Sequence, residues 1–230
     1  MREYNALQGY PEPKEPRIVG PTIRTMRNRI IASYRDDRYY DGDRNNGYGG
    51  FRYDGRWNPI AEHMFKEYGL YEDSAVLHVG CEKAFLLHDF HQMYPRMTIR
   101  GTDISEYALN NAMDDVKPFL QKSLFTALPF PDKSFDFVIA IGVVYCLNLS
   151  DAIKCLREIQ RVGKGKSFIT LAAYRTEEEK KIFEYWTLLG STVLHEDDWV
   201  EVLTHVGYTG DYKFTTARSL KLIPERNAVP

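Results

Sequence analysis

The sequence predicts an α/β protein built on a doubly wound, mostly parallel sheet. From residue 58 onward, short apolar runs of strand length alternate with amphipathic segments of helix length, and this alternation is typical of parallel sheets. The run at 135–141 is apolar almost throughout, as expected for a strand that helices cover on both faces. Two strand-like runs close the chain with little between them, which predicts an antiparallel hairpin on the sheet edge. The seven predicted strands are 75–79, 98–104, 123–125, 135–141, 167–173, 209–214 and 218–223.

Capping residues mark the helices between these strands. Asn58 can cap a helix whose first turn holds Pro59, and Ser105 can cap the helix after the second strand. Thr176 and Glu179 have the spacing of a capping box. The predicted helices are 58–69, 84–93, a segment after Ser105, 151–162, a segment after Thr176, and 197–205 ending at Gly207.

Bulk composition excludes several classes of protein. The 230 residues carry a formal net charge of -2, so no global basic field favours nucleic acid. No apolar run approaches the roughly 18 residues of a membrane-spanning helix, and the polar, proline-containing start does not resemble a secretory signal. The cysteines, Cys81, Cys146 and Cys155, fit neither a zinc site nor a disulfide framework. We therefore expect a cytoplasmic protein with reduced thiols and no metal site.

The chain divides into residues 1–57, an N-terminal arm and lid, and residues 58–230, the α/β domain. Residues 1–22 are proline-rich and charged, so they should bury little. Residues 23–57 interleave arginines with aromatic residues. Guanidinium groups recognise carboxylates and phosphates, and aromatic rings stack on bases and sugars. The alternatives are a solvated loop with Arg–Asp pairs, or an RNA-binding segment, which the interspersed acids disfavour.

The lid residues nearest the domain are the strongest candidates for ligand contact. These are Arg52, Tyr53, Arg56 and Trp57, with Arg56 assigned to the cofactor and the other three to substrate. Arginine density without net basic charge suggests that the lid closes over a small anionic substrate, such as a phosphorylated or nucleotide-linked sugar.

Ligands of doubly wound sheets bind at the carboxyl ends of the strands, where the strand order reverses. The turn at 80–84, the strand end at Asp103 and the turn at 142–148 are therefore the candidate site. Gly80 allows the backbone to turn tightly there.

Three segments in this region carry a family resemblance. The runs VLHVGCEKA at 76–84, TDIS at 102–105 and LPFPDKSFD at 128–136 resemble the motifs of class I S-adenosylmethionine-dependent methyltransferases of the methyltransferase-11 type. The resemblance covers about residues 58–223 and implies a Rossmann-like fold, S-adenosyl-L-methionine (SAM) as cofactor and S-adenosyl-L-homocysteine as product. It implies that Asp103 accepts hydrogen bonds from the cofactor ribose. The expected cofactor contacts are His78, Gly80, Cys81, Glu82, Asp103, Ile104, Ala127, Leu128, Ile141 and Arg56.

The first motif departs from the family pattern. An acid is usual where this chain has His78, glycines are usual at Glu82 and Ala84, and an acid is common near Leu124. Glu82 puts a carboxylate where the methionyl part of SAM should pass, and Ala84 adds a Cβ where backbone should approach the ligand. Three outcomes stay open: SAM binds in an adjusted pose, binds weakly, or no longer binds.

The expected reaction is methyl transfer to an oxygen or nitrogen of a small metabolite. Tyr145 and Asn148 can orient the nucleophile, His195 can act as general base or merely cap a helix, and Tyr174 and Arg175 end a strand beside the substrate. One alternative is a catalytically inactive subunit that scaffolds or regulates an active methyltransferase. Another is a SAM-fold enzyme with non-methylating chemistry. A homodimer and a heteromer with an active methyltransferase are both open as assemblies.

Overall fold

The computed structural model describes residues 1–225. The strands are β1 (Arg2–Glu3), β2 (Arg17–Val19), β3 (Ala75–Val79), β4 (Thr98–Asp103), β5 (Leu120–Lys122), β6 (Phe137–Ala140), β7 (Ser167–Tyr174), β8 (Leu194–His195), β9 (Asp211–Thr215) and β10 (Leu222–Pro224). The helices are α1 (Met26–Ser33), α2 (Asp37–Tyr40), α3 (Asn58–Glu67), α4 (Phe85–Met93), α5 (Glu106–Asn110), α6 (Leu149–Val162), α7 (Glu177–Trp186) and α8 (Glu196–Val206).

The main sheet confirms the doubly wound prediction. Seven strands follow the order β1-β9-β7-β6-β3-β4-β5, and β8 pairs additionally with β7. Every pairing is parallel. The chain winds outward from β3 through β4 to β5, then crosses over to β6 on the other side of β3. The strand order therefore reverses between β3 and β6, where a ligand site is expected.

The predicted antiparallel hairpin at the C-terminal end is wrong. Strand β9 runs parallel to β7, with Phe168 paired to Asp211 and Ala172 to Thr215, because α8 carries the chain back across the sheet before β9 begins. The outer edge of β9 is then occupied by β1 from the N-terminus. Strand β10 consequently leaves the main sheet and pairs in parallel with β2 in a separate two-stranded sheet.

The third strand is displaced from its predicted position at 123–125. Its pairing residues are Leu120–Lys122, which align with Gly101–Asp103 of β4. Phe125 is apolar because its side chain is buried beyond the strand end, 4% exposed. The residues that pair with β4 are therefore not the residues that are buried here. The apolar residue Phe125 indicated a buried position and not the position of the strand.

Apolar side chains from the two faces of the sheet form two cores. Leu77 and Val79 face one core and Val76 faces the other, as the alternation of side chains along a strand requires. The first core packs against α6 and α8, and the second packs against α3 and α4. Helix α6 buries the face predicted from its periodicity: Ala152, Cys155, Leu156, Ile159 and Val162.

Most of the predicted helix caps are present. The Ser105 side chain accepts a hydrogen bond from the backbone N–H of Ala108, and Thr176 accepts one from Glu179. Gly207 ends α8 in the left-handed conformation. At α3 the cap is Trp57, and Asn58 is already helical.

The first 57 residues fold onto the domain. Ala6 is fully buried and Val19 is 4% exposed, so the proline-rich segment buries more than its composition predicts. Residues 35–51 return to the carboxyl ends of β3 and β4. The boundary at residue 57 stays a prediction. Within residues 1–225, no helix has the length and apolar character needed to cross a membrane.

Candidate functional site

The loop after β3 combines left-handed backbone with two residues other than glycine. Gly80, Glu82 and Ala84 have φ angles of 70°, 52° and 57°, all in the left-handed region that favours glycine. At Gly80 the requirement is also steric, since an added Cβ would lie 2.2 Å from Cγ2 of Val143. Glu82 and Ala84 thus present side chains from backbone positions that favour glycine.

Asp103 ties this loop to the end of β4. Its Oδ2 accepts a hydrogen bond from the backbone N–H of Glu82 at 2.9 Å, and its Oδ1 accepts one from Ser105 at 2.8 Å. The residue is 1% exposed, and burial raises the pKa of its carboxyl. Each carboxylate oxygen can accept a further hydrogen bond, so Asp103 retains the capacity to hold a hydroxyl group.

The N-terminal residues 35–51, here called the arm, lie directly across these loops. The Tyr48 hydroxyl donates a hydrogen bond to the Glu82 carboxylate. The Ser105 hydroxyl donates one to the backbone carbonyl of Arg35 at 2.6 Å. Lys83 is paired with Asp41 at 2.7 Å. The arm is thus bonded both to the loop at 80–84 and to the start of α5.

An aromatic cluster holds the arm in place. Tyr40 is fully buried and stacks on Tyr48 and Tyr107, with both centroid distances at 6.0 Å. Phe51 packs on Tyr48 at 4.3 Å and on Phe85 of α4 at 4.9 Å. These contacts anchor the arm to the domain by burial of large rings.

A cavity of about 640 Å³, including its open mouth, lies between the arm and the sheet. It sits beside the ends of β3 and β6, the position where the strand order reverses. Its domain side is formed by Glu82, Ile141, Gly142, Tyr145, Cys146 and residues 186–189. Its N-terminal side is formed by Arg24, Arg35, Tyr39, Arg44, Gly47 and Tyr48. We call it the arginine cavity.

Three titratable side chains of the domain, Glu82, Tyr145 and Cys146, line the arginine cavity. Burial raises the pKa of Glu82 to about 7, with the nearby Asp103 adding to the effect and the Tyr48 hydroxyl opposing it. Burial also raises the pKa of Tyr145 well above its ordinary value. Near neutral pH the cavity therefore combines a carboxyl group that exchanges protons with a phenol that stays protonated.

Three predicted site residues, Glu82, Ile141 and Tyr145, line the arginine cavity. Others stand close behind it: Gly80, Cys81 and Asp103 belong to the loops described above, and burial raises the pKa of the Cys81 thiol. Three predicted cofactor contacts lie further from the cavity wall. Ile104 packs against the first core and Leu128 is part of it, and Ala127 accepts a hydrogen bond from Ser123.

His78 is buried within β3, 6% exposed. Neither ring nitrogen has a hydrogen-bond partner among residues 1–225, and burial lowers its pKa to about 3. The imidazole is therefore neutral over the physiological range and packs as part of the sheet.

The four lid residues predicted to contact ligand lie outside the arginine cavity. Arg56 is paired with Asp54 on the surface, and Arg52 is exposed. Tyr53 donates a hydrogen bond to Asp89 of α4 at 2.5 Å, and Trp57 packs against Tyr10. The chain leaves the cavity before residue 52 and runs along α4 to reach α3. Ligand contact by these four residues stays a prediction.

Four further candidates occupy capping or surface positions outside the lining of the cavity. Asn148 caps α6 by accepting from the backbone N–H of Asp151, and His195 caps α8 by accepting from Asp197 at 3.2 Å. Tyr174 packs edge-on against His195, and Arg175 is paired with Glu196. These contacts account for all four in structural terms, and their roles in catalysis or substrate binding stay predictions.

The N-terminal segment supplies cavity residues that the sequence did not single out: Arg24, Arg35, Tyr39, Arg44 and Tyr48. Their arginine and tyrosine density was visible, but nothing local distinguished them from Arg52 or Arg56. Among residues 1–225, no group of three or more His, Cys, Asp or Glu side chains is placed to hold a metal ion.

Comparison with known proteins agrees with this geometry. Residues 77–171 match the family model described as a methyltransferase domain, a stretch shorter than half of the chain. A search of curated protein sequences found no match. Among solved structures, the YcgJ protein of Bacillus subtilis is 18% identical, with a TM-score of 0.53 over 64% of this chain and 66% of that one. The chain thus spans slightly less than two thirds of that protein's length.

Two archaeal structures give a similar result. A Haloferax volcanii protein described as a methyltransferase, in complex with the Trm112 methyltransferase activator, is 20% identical with a TM-score of 0.50, covering 67% of this chain and 73% of that one. A SAM-dependent methyltransferase of Methanosarcina mazei is 16% identical with a TM-score of 0.51, covering 62% and 82%. At these identities the likeness is one of fold. Residues 77–171 are thus similar to a methyltransferase domain, and the chain shares its fold with these three proteins.

Proposed function

We propose that this chain is a methyltransferase that takes SAM at the loop 80–84 and Asp103 and methylates an oxygen or nitrogen of a small metabolite held in the arginine cavity. One observation carries the proposal. The cavity shares Glu82 with the cofactor loop and reaches Gly142 and Tyr145 at the end of β6. An acceptor held there would lie beside the cofactor.

The residues present fit the cofactor once the arm is displaced. Asp103 has free acceptor capacity for ribose hydroxyls, and the left-handed backbone at 80, 82 and 84 follows the course that a glycine-rich cofactor loop needs. Asp103 is nevertheless 1% exposed, with the Arg35 carbonyl bonded to the adjacent Ser105. Binding of the ribose therefore requires the arm to move off this strand end.

The chain's own residues supply orientation and proton transfer. When bound, SAM provides a methyl group on a sulfonium, and alignment with the acceptor supplies much of the rate. Glu82, with its pKa raised to about 7 by burial, is suited to take the proton of an acceptor hydroxyl or amine. Tyr145 stays protonated and can donate a hydrogen bond that orients the acceptor.

A product assay tests this function. The full chain is incubated with SAM and a panel of small hydroxylated and amino metabolites, with and without phosphate groups, and S-adenosylhomocysteine is followed by mass spectrometry. The proposal predicts acceptor-dependent S-adenosylhomocysteine formation that falls in Glu82→Gln. Acceptor-dependent cleavage of SAM without S-adenosylhomocysteine would instead indicate non-methylating chemistry.

A second function is favoured by the position of the arm. The arm covers Asp103, and Tyr48 is bonded to the side chain that replaces a loop glycine. A catalytically inactive subunit that supports an active methyltransferase would keep such a closed site permanently. For that function, SAM should fail to bind at millimolar concentration even when Tyr48→Phe removes the bond from the arm to Glu82.

A further inference from the structure

We propose that Arg24, Arg35 and Arg44 form a binding site for phosphate groups in the arginine cavity. The inference rests on the proposed function only in making the phosphorylated ligand the methyl acceptor. The anion site itself is defined by the three side chains and can be tested without methyl transfer.

The three guanidinium groups converge without carboxylate partners. None of them forms an ion pair with an acidic residue among residues 1–225, and the hydrogen bonds of Arg24 and Arg44 go to neutral backbone carbonyls. Arg24 donates to Trp186 at 2.6 Å and to Arg44 at 3.3 Å, and Arg44 donates to Gly47 at 2.6 Å. Their charges are therefore not offset by direct pairing within the described chain.

Acidic residues lie near these arginines in sequence without pairing with them. Six other arginines among residues 1–225 are paired with acids, namely Arg2, Arg38, Arg56, Arg96, Arg161 and Arg175, whereas exposed arginines such as Arg27 and Arg52 also lack an acidic partner. Asp36, Asp37 and Asp43 lie close in sequence to Arg35 and Arg44, yet Asp36 pairs with Arg38 instead. Glu82 and Asp103 act on Arg35 through space, but neither pairs with it.

The pKa of Arg24 reflects the electrostatic cost of bringing these charges together. Burial, with repulsion from Arg44 and other neighbouring arginines, lowers its pKa to about 10. Like charges gathered around a cavity are destabilising unless an anion compensates them. Guanidinium groups bind phosphate oxygens through two parallel hydrogen bonds, which adds geometric selectivity to the charge attraction.

A second cavity extends the site. It encloses about 520 Å³ and shares Arg24, Arg44 and Trp186 with the arginine cavity. Arg17 and the apolar side chains of Ile18, Val19 and Ile23 also line it. The shared arginines thus stand at the junction of two spaces, so a phosphate bound there can carry organic groups on both sides. Three guanidinium groups carry three positive charges, and one carboxylate would balance only one of them. A phosphate dianion or a diphosphate matches this charge better.

Pyrophosphate is the probe that tests this site. It is titrated into the full chain by calorimetry at constant ionic strength, with inorganic phosphate and acetate alongside. We expect saturable binding of pyrophosphate, weaker binding of phosphate, and no binding of acetate. Arg24→Gln and Arg44→Gln should each weaken pyrophosphate binding about tenfold or more, the usual loss for a charged hydrogen bond.

Arg27→Gln is the matched control. Arg27 belongs to the same N-terminal segment, in α1, but is exposed and lies outside both cavities, so its replacement should leave the affinity unchanged. Circular dichroism and thermal melting establish that each variant is folded. Pyrophosphate should raise the melting temperature of the wild type and of Arg27→Gln more than that of Arg24→Gln.

Three results would overturn the proposal. The first is no pyrophosphate binding by the folded wild type, the second is an equal loss in Arg27→Gln, and the third is acetate binding as strong as pyrophosphate. SAM titrated into the same preparation separates the two proposals. SAM binding without pyrophosphate binding refutes the phosphate site alone, whereas pyrophosphate binding without SAM binding refutes the methyltransferase.

Discussion

The hydroxyl of Tyr48 donates a hydrogen bond to the carboxylate of Glu82, joining the N-terminal arm to the loop that follows the first strand of the domain. The arm is therefore held by a side chain of the loop itself. Under the proposed function, opening the cofactor site requires this bond to break.

Removing the bond should favour the open arm. Tyr48→Phe keeps the aromatic packing and deletes only the hydroxyl, so the free energy of unfolding should fall by about 1 kcal/mol. SAM affinity should rise several-fold, since less free energy is needed to reach the competent state. Urea unfolding and calorimetry measure the two effects. Tyr34→Phe, at a 63% exposed position just before the arm, should change neither. An unchanged SAM affinity in Tyr48→Phe would contradict the role of the bond.

The free energy of unfolding should depend on pH through the Glu82 carboxyl. Burial raises its pKa from the ordinary 4.5 to about 7, so between these pH values the folded state binds more protons at Glu82 than the unfolded state does. The contribution of Glu82 to the free energy of unfolding is therefore present below pH 4.5 and is lost as pH rises to 7. Urea unfolding from pH 4.5 to 8 should show this slope in wild type minus Glu82→Gln. A flat difference would mean that Glu82 ionises normally.

His78 should have the opposite pH dependence. Burial lowers its pKa from 6.5 to about 3, so the unfolded state binds the extra proton and the folded state loses stability as pH falls below 6.5. Both ring nitrogens lack partners among the described residues, and a buried polar group without partners is costly. His78→Leu should raise the free energy of unfolding by about 1–2 kcal/mol at pH 5, with a smaller gain at pH 8. Destabilisation of equal size at both pH values would show that packing dominates.

Gly80 should tolerate no side chain. Gly80→Ala combines a φ of 70° with a Cβ placed 2.2 Å from Val143, and we expect a loss of about 2–4 kcal/mol together with the loss of SAM binding. Gly207 has a φ of 68° and open space around its Cβ position. Gly207→Ala therefore reports the conformational cost alone, about 1 kcal/mol. Equal losses in the two variants, measured by urea unfolding, would refute the steric argument.

Patterns among neighbouring residues predicted most strands and helices of the domain, because residues close in sequence determine these elements. Apolar runs marked β3 and β7, side-chain caps such as Ser105 marked helix starts, and periodicity marked the buried face of α6. The predicted hairpin was wrong because the N-terminal strand β1 occupies the sheet edge beside β9. No residue near the C-terminus indicates that a strand from the other end of the chain pairs there. The predicted position of the third strand was wrong because Phe125 is buried but does not pair with β4.

The candidate site combines locally signalled residues with residues that only the tertiary structure brings in. The loop at 80–84 and Asp103 were predicted from motifs that lie within the domain. The arginines of the cavity depend on the path of residues 24–48 back over the sheet, which is set by contacts between distant residues, such as Tyr40 with Tyr107. Arg52 and Arg56 have the same composition around them, but they lie along the course of the chain toward α3. Only the tertiary contacts separate the two groups of arginines.

The most direct test of the central claim is calorimetric titration of the full chain with SAM, in the wild type and in Asp103→Ala. The account predicts saturable micromolar binding by the wild type, weakened by about 1–3 kcal/mol in Asp103→Ala because the ribose loses its acceptor. Asp114→Ala, at a 95% exposed side chain, should bind SAM like the wild type. Absence of binding at millimolar SAM, or unchanged affinity in a folded Asp103→Ala variant, would contradict the account.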